Sequence, residues 1–451
     1  MDAVKQYIDL FEQTKETINN HSTDIMNSCR EEALHMLKKL GLPSKKQQKY
    51  AHTDLEDYFG PDYGLNINRY PIPVNPYEAF KCDVPNLSTA LYFLINDQYY
   101  NNEPHGTKYP DGTFIGSLKK FAESHPDIAE KYYGRLSSKE NDGSVAINTL
   151  FAQDGFVVYV PKNVQIDKTV QLINVLGSET DFMINRRILV ILEDNASVKL
   201  LICDHALNEV NFLATQVSEV FVGEGAMLDY YELEENPANT KRIASTFIDQ
   251  QKGSNVMASS ITLMNGKTRN NTYITFSGPG AESHLSGMAI EDGNQEVDNF
   301  TFIDHKSPHC KSNELYKYVL NDNATGSFAG RILVREGAQK TEAYQSNKNI
   351  CATDTSHMFT RPELEIYADD VKCSHGATVG QLDNQALFYM RTRGLSEDEA
   401  RMLLMFAFMS DVIDNIRLEP LRDRLRKLVE KRFRGELAKC RGCNECRPEP
   451  K

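Results

Sequence analysis

Cysteine and histidine gather at four places in this chain, and soft donors at close spacing are where metal chemistry would start. The most specific pattern is Cys440-Arg441-Gly442-Cys443-Asn444-Glu445-Cys446. A C-x₂-C-x₂-C run opens the motif that holds a 4Fe–4S cluster in bacterial ferredoxins, but Pro450 stands where the fourth cysteine belongs. Three thiolates can hold a labile cluster or zinc if a ligand comes from elsewhere. The plain alternative is a reduced tail with no ligand role.

The second place is Val371-Lys372-Cys373-Ser374-His375-Gly376-Ala377-Thr378-Val379-Gly380. In an extended strand, residues i and i+2 share a face, so Cys373 and His375 project together and Lys372 and Ser374 oppose them. A thiolate beside an imidazole suits iron or zinc. Two ligands do not complete a site, however. Taken alone, the pair reads as a packed thiol and a hydrogen-bonded histidine. Asp304-His305-Lys306-Ser307-Pro308-His309-Cys310 reads better as a polar turn, and Cys203-Asp204-His205 repeats the i, i+2 spacing far away in sequence. No phosphate loop, dinucleotide fingerprint, H-E-x-x-H or nucleophile elbow occurs.

The elements that must position these side chains change along the chain. Val4, Tyr7, Ile8 and Phe11 keep helical spacing, and a second helical stretch through Leu34, Leu37 and Leu40 stops at Gly41. Residues 44 to 86 read as loop and short elements, and helical patterns return at Ser117–Ala122 and Ile128–Tyr133. From about Phe156 to Tyr367 the pattern becomes short β-branched and aromatic runs bounded by Gly, Asn, Asp and Ser, which predicts an all-β stretch.

A repeat runs through that stretch. Small-residue turns begin at Asn195, Gly225, Gly253 and Gly280, at intervals of 30, 28 and 27 residues, with less regular echoes at Gly337-Ala338 and Gly376-Ala377. Strand-only repeats of this length predict a β-solenoid with one rung per repeat; evenly spaced hairpins in a β-sandwich are the alternative. The end is helical again. Ser396 and Glu399 form a capping box ahead of Met402, Leu403, Phe406, Met409 and Ile413, and Pro420 opens a further helix ending near Gly435. Arg422, Arg424, Arg426, Lys427, Lys431, Arg432 and Arg434 make that last helix either a solvated charged face or a dock for an acidic partner.

The 451 residues carry 50 Lys plus Arg against 63 Asp plus Glu, a net charge of −13. That balance argues against nucleic acid or an anionic membrane as the main partner. An N-terminus without a basic or apolar signal region, and nine cysteines with no disulfide pattern, predict a cytoplasmic chain with reduced thiols.

Two segments carry a family resemblance. Asn148-Thr149-Leu150-Phe151-Ala152-Gln153-Asp154-Gly155-Phe156 leads into Val160-Pro161-Lys162-Asn163-Val164. The other runs from Leu364 through Cys373-Ser374-His375-Gly376-Ala377-Thr378-Val379-Gly380 to Arg393-Gly394. Together they resemble the SufB/SufD family, over residues 1 to 435, and the Cys-Ser-His-Gly-Ala-Thr-Val-Gly wording is that of its SufD branch.

The resemblance implies a right-handed parallel β-helix between helical ends: a helical part over 1–145, the β-helix over 146–380, a C-terminal helical part over 381–435 and a cysteine-rich tail over 436–451. It implies a non-catalytic scaffold for iron–sulfur cluster assembly that pairs with a SufB paralogue and docks a SufC ATPase. A transient cluster would form at the SufB-facing interface, where His375 and Cys373 match. The stretch from Asp383 to Ile416, with Leu387, Phe388, Leu403, Phe406 and Met409, matches the ATPase-docking region. A homodimer of the isolated chain, flavin in the complex and downstream apo-protein acceptors are further expectations of the same kind. The tail with Cys440, Cys443 and Cys446 departs from the family pattern. Two readings compete with the scaffold: a self-contained iron–sulfur carrier using that tail, and a β-helix enzyme acting on polysaccharide.

Overall fold

Left-handed corners are the unit from which this fold is built. In the computed structural model, which describes residues 3–72, 75–76, 89–100, 109–110 and 112–436, Asn163, Asn195, Gly225, Gly253, Gly280, His309 and Lys340 have φ between 56° and 70°. Each corner amide donates to a carbonyl of the next corner: Asn195 to Glu224 at 2.7 Å, Gly225 to Lys252 at 2.8 Å, Gly253 to Pro279 at 3.0 Å and His309 to Gln339 at 2.8 Å. The corners therefore stack. The next residue is small and buried at Ala196, Ala226, Ser254, Ala281 and Cys310.

The later corners differ from those expected. They fall at His309 and Lys340, whereas Gly376 lies within a strand. A single non-glycine residue tolerates the left-handed region at a cost of roughly 1–2 kcal/mol, so a corner need not advertise itself with glycine.

Nineteen strands lie among the described residues: β1 (Thr89–Ile95), β2 (Gln98–Tyr99), β3 (Phe114–Ser117), β4 (Phe156–Val160), β5 (Thr169–Leu176), β6 (Phe182–Leu192), β7 (Ser197–Ala206), β8 (Phe212–Val222), β9 (Met227–Glu235), β10 (Thr240–Gln250), β11 (Asn255–Met264), β12 (Lys267–Phe276), β13 (Glu282–Glu291), β14 (Glu296–His305), β15 (Lys311–Leu320), β16 (Thr325–Val334), β17 (Glu342–Cys351), β18 (His357–Ile366) and β19 (Lys372–Gly380). From β4 onward they alternate between two sheets. One runs β19-β17-β15-β13-β11-β9-β7-β5-β1-β2 and the other β18-β16-β14-β12-β10-β8-β6-β4-β3. Neighbours pair in parallel throughout, except β1 with β2 and β3 with β4. Parallel pairing excludes the hairpin sandwich, because parallel strands need a crossover and here the crossover is the strand of the opposite sheet. The fold is a parallel β-solenoid. Its apolar interior is lined by Val190, Val220, Ile248, Ile274, Ile303 and Ile332 on one side and Val198, Leu228 and Val256 on the other.

Both outer faces are clad. Helices at Ala3–Asn20 and Arg30–Leu40, with a later helix at Gly143–Phe151, set Phe11, Leu37 and Phe151 on Met183, Leu213 and Ile243 of the even-numbered sheet. The buried Arg30 guanidinium donates to the Thr149 and Ala152 carbonyls at 2.8 Å, which caps the carbonyl end of that later helix. On the odd-numbered sheet, the helices at Glu397–Asp414 and Glu419–Phe433 lay Met409, Val412, Leu421 and Leu425 over Leu201, Tyr231 and Met257. Ser396 accepts the Glu399 amide at 3.2 Å, as the capping box predicts. Buried Lys317 donates to the Phe408 carbonyl at 2.7 Å and to Asp411 at 2.5 Å, fastening the first of these helices to β15 (Lys311–Leu320).

The expected boundary at residue 145 does not separate helix from sheet. Strands Thr89–Ile95 and Phe114–Ser117 join the two sheets from before it, and the helix at Gly143–Phe151 crosses it. Local pattern cannot show this, because a strand's sheet membership depends on partners far away. Among the described residues, no helix is long and apolar enough to cross a membrane.

Candidate functional site

A solenoid must end, and how it ends decides what it can bind. Here β18 (His357–Ile366) pairs only with β16 and β19 (Lys372–Gly380) only with β17, so each closes its sheet with an unpaired edge. Neither strand contains a buried residue, whereas β15, covered from both sides, buries seven of its ten. Phe359, Ile366, Tyr367 and Val379 are exposed there, as is Tyr344 one rung below. An apolar edge with free N–H and C=O groups invites another strand. The N-terminal segment reaches the same rung: the His52 ring stacks on Phe359 with centroids 4.0 Å apart, and Gln48 donates to Glu363 at 2.7 Å.

Cys373 and His375 sit on β19 with the alternation expected from sequence. Cys373 lies in register with Ala343 and is half-buried against the solenoid interior, and His375 lies in register with Gln345 and is exposed. Burial pushes the Cys373 thiol up, and the Ala343 amide only partly opposes it. Its thiolate is therefore disfavoured unless a positive partner stands beside it.

Beneath His375 the interior is polar. Gln345 is buried and its Nε2 donates to Glu314 Oε2 at 2.5 Å. The Glu314 carboxyl is fully buried and pushed up to about 7 by that burial, with hydrogen bonds from Thr301 and Gln345 pulling the other way. Sequence reasoning missed this pair. Strict alternation does place Glu314 and Gln345 on one face of their strands, but a polar residue facing inward looks the same in sequence as one facing water.

The other cysteine and histidine clusters do not join the site. Cys203 belongs to β7 (Ser197–Ala206), six strands from β19 in the same sheet or roughly 29 Å at ~4.8 Å per strand. It faces outward under the C-terminal helices. His305 is buried against Phe276, its Nε2 is 2.9 Å from Ser312 Oγ, and burial pulls it down to about 4. Asp304 binds Arg335 through both oxygens at 2.8 and 2.9 Å, and Cys310 fills the small buried position after a corner. That cluster is a structural turn. Cys440, Cys443 and Cys446 lie outside the described residues, among which no three His, Cys, Asp or Glu side chains come together as a metal site.

The docking candidates divide. Phe388 is 69% exposed and Leu403 is 37% exposed, and Phe406 is half-buried; Leu387 and Met409 are buried and hold the helices in place. The basic run is largely matched by carboxylates of this chain: Arg424 faces Glu235 at 4.0 Å, Arg426 binds Asp414 at 2.8 Å, Arg432 binds Asp292 at 2.5 Å and Arg434 binds Glu430 at 3.1 Å. Those pairs favour a charged helix surface over a dock for an acidic partner.

Comparison with known proteins gives concordant matches. Residues 175–408 match the family described as "SUF system FeS cluster assembly, SufBD core domain" and residues 1–172 match "SufBD protein N-terminal region". An iron–sulfur cluster assembly SufBD family protein of Synechocystis is 28% identical over 421 residues, covering 91% of this chain and 92% of that one. The iron–sulfur cluster assembly protein SufD of Escherichia coli is 24% identical over 412 residues, 89% of this chain and 92% of its own. The SufD protein of Bacillus subtilis is 26% identical over 362 residues, 78% and 81% respectively.

Proposed function

This chain belongs to the SufBD family of iron–sulfur cluster assembly proteins, and on that premise we propose that it is a non-catalytic scaffold whose open solenoid end pairs with a SufB-type paralogue. The observation that carries this reading is the uncovered last rung, where an apolar double edge and the Cys373–His375 face coincide. Strand-on-strand pairing would bury Phe359, Ile366, Tyr367 and Val379 and satisfy the free backbone groups of β18 and β19.

Cluster iron and sulfide are the cargo. His375 presents an imidazole to iron from the exposed half of β19, and Cys373 supplies a thiolate once iron offsets the cost of ionising it in a half-buried position. The remaining ligands come from the paralogue. The same edge, lacking that paralogue, would pair two copies of this chain about a two-fold axis. A SufC-type ATPase would dock on the exposed Phe388 and Leu403, with Leu387 and Met409 shaping the helices from beneath. Assembly takes place in the cytoplasm, a flavin held by the complex would supply electrons, and finished clusters pass to apo-protein acceptors. Cys440, Cys443 and Cys446 are accessory in this reading.

Complementation of a cluster-assembly-deficient strain tests it. His375→Ala at matched expression is expected to lose growth while the chain still co-purifies with both partners, and truncation after Gly435 is expected to grow. Full growth of His375→Ala beside failure of the truncation would overturn the ranking in favour of the tail. Hydrogen exchange at residues 372–380 that does not slow on adding the paralogue would overturn the pairing.

A further inference from the structure

Gln345 occupies the rung directly below His375, in register and on the same inward face. Neighbouring strands are ~4.8 Å apart, so the two side chains are adjacent. The Gln345 amide is held on two sides and left open on a third. Its Nε2 donates to Glu314 Oε2 at 2.5 Å. Across the interior stands Gly330, where a Cβ would come within 2.3 Å of Gln345 Nε2 and 2.9 Å of its Cδ, so the glycine keeps open the space the amide fills. The Gln345 Oε1 is buried and has no hydrogen-bond partner. With Nε2 committed to the rung below, that oxygen is left for the side away from Glu314, where the next rung carries His375.

A buried carbonyl oxygen without a donor costs roughly 1–3 kcal/mol, so it marks a place where a donor is expected. An imidazole that binds metal through one nitrogen donates from the other, and the acceptor decides which tautomer and ring orientation the metal meets. We propose that Gln345 is a positioning residue for His375, accepting the N–H of one ring nitrogen so that the other is presented bare to iron at the open rung. Glu314 and Gly330 act through Gln345: the first fixes which way the amide faces and the second gives it room. The proposal rests on the reading of His375 as a cluster-side ligand, and its test separates the two.

Full-length protein labelled with ring-¹⁵N histidine reports the His375 tautomer directly, with His375→Ala identifying the signal. One dominant tautomer is expected in the native chain and a mixture in Gln345→Met. In the complex with the paralogue and the ATPase, Gln345→Met is expected to lower cluster transfer to an apo-acceptor by about 10–100-fold, the usual loss when such a supporting acceptor is removed. The double variant Gln345→Glu with Glu314→Gln exchanges amide and carboxyl, keeps both an acceptor for the ring and the contact between the rungs, and is expected to restore most of that transfer. Should Gln345→Met fold poorly by thermal unfolding, the same change in a Glu314→Gln background leaves no buried carboxyl unpaired and carries the test. An unchanged tautomer, or unchanged transfer, in Gln345→Met while His375→Ala is inactive overturns the positioning role alone. Undiminished transfer in His375→Ala overturns the parent reading.

Discussion

Replacing Glu314 by glutamine should make this protein more stable at pH 8 and leave it nearly unchanged at pH 4. The carboxyl is fully buried, meets no cation, and is pushed by burial from an ordinary 4.5 to about 7. A folded-state pKa raised above the unfolded one means that the folded chain keeps a proton the unfolded chain has released. Stability from this group is therefore complete below about pH 4.5 and is lost as pH rises through about 7. The gap of about 2.5 units, at ~1.36 kcal/mol per unit, is worth about 3 kcal/mol to order of magnitude. Glutamine removes the titration yet keeps an oxygen to accept from Gln345 Nε2. Denaturant midpoints of both chains at several pH values from 4.5 to 8.5 measure the effect. Glu234, also buried and pushed up to about 7, titrates in both chains and cancels in the difference. The difference should grow with pH and level off above about 8. A constant difference across that range would refute the account of Glu314 as a buried acid with no cation beside it.

Other perturbations test separate parts of the structure. His305 is buried and pulled down to about 4, so its charging opposes the fold: stability from this group is full above about pH 6.5 and falls toward pH 4, and His305→Asn should flatten that limb of a denaturation profile. Lys317→Met removes the bonds to Phe408 and Asp411, and hydrogen exchange over Glu397–Asp414 should quicken by about tenfold or more, since bonds to a charged donor are worth ~1.5–3 kcal/mol; unchanged exchange would mean apolar packing alone fixes the helix. Gly280→Ala has open space around the new Cβ and φ +70°, so its cost should be backbone strain of roughly 1–2 kcal/mol, whereas Gly330→Ala should cost more because the Gln345 amide must move. A thermal-unfolding comparison of the two that reverses this order would refute the space argument at Gly330.

Much of the architecture was already legible in single residues. Asn195, Gly225, Gly253 and Gly280 stand out in sequence because a left-handed corner selects residues that tolerate positive φ, and such corners recur once per rung. Ser396 with Glu399, Pro420 and Gly41 announced helix ends for equally local reasons, and the i, i+2 spacing of Cys373 and His375 sufficed to put them on one face. What only the tertiary structure decided is everything that depends on stacking order. That β18 and β19 are the last rung, that Cys203 lies six strands from Cys373 on the outer face, and that Met409 is buried while Phe388 is not, all follow from which strand or helix lies against which. The same holds for Glu314, Gln345 and Gly330. Strands of a parallel solenoid are covered on both faces, so their sequences carry no polar side to tell inside from outside, and the register that sets Gln345 beneath His375 joins residues a full turn of the chain apart.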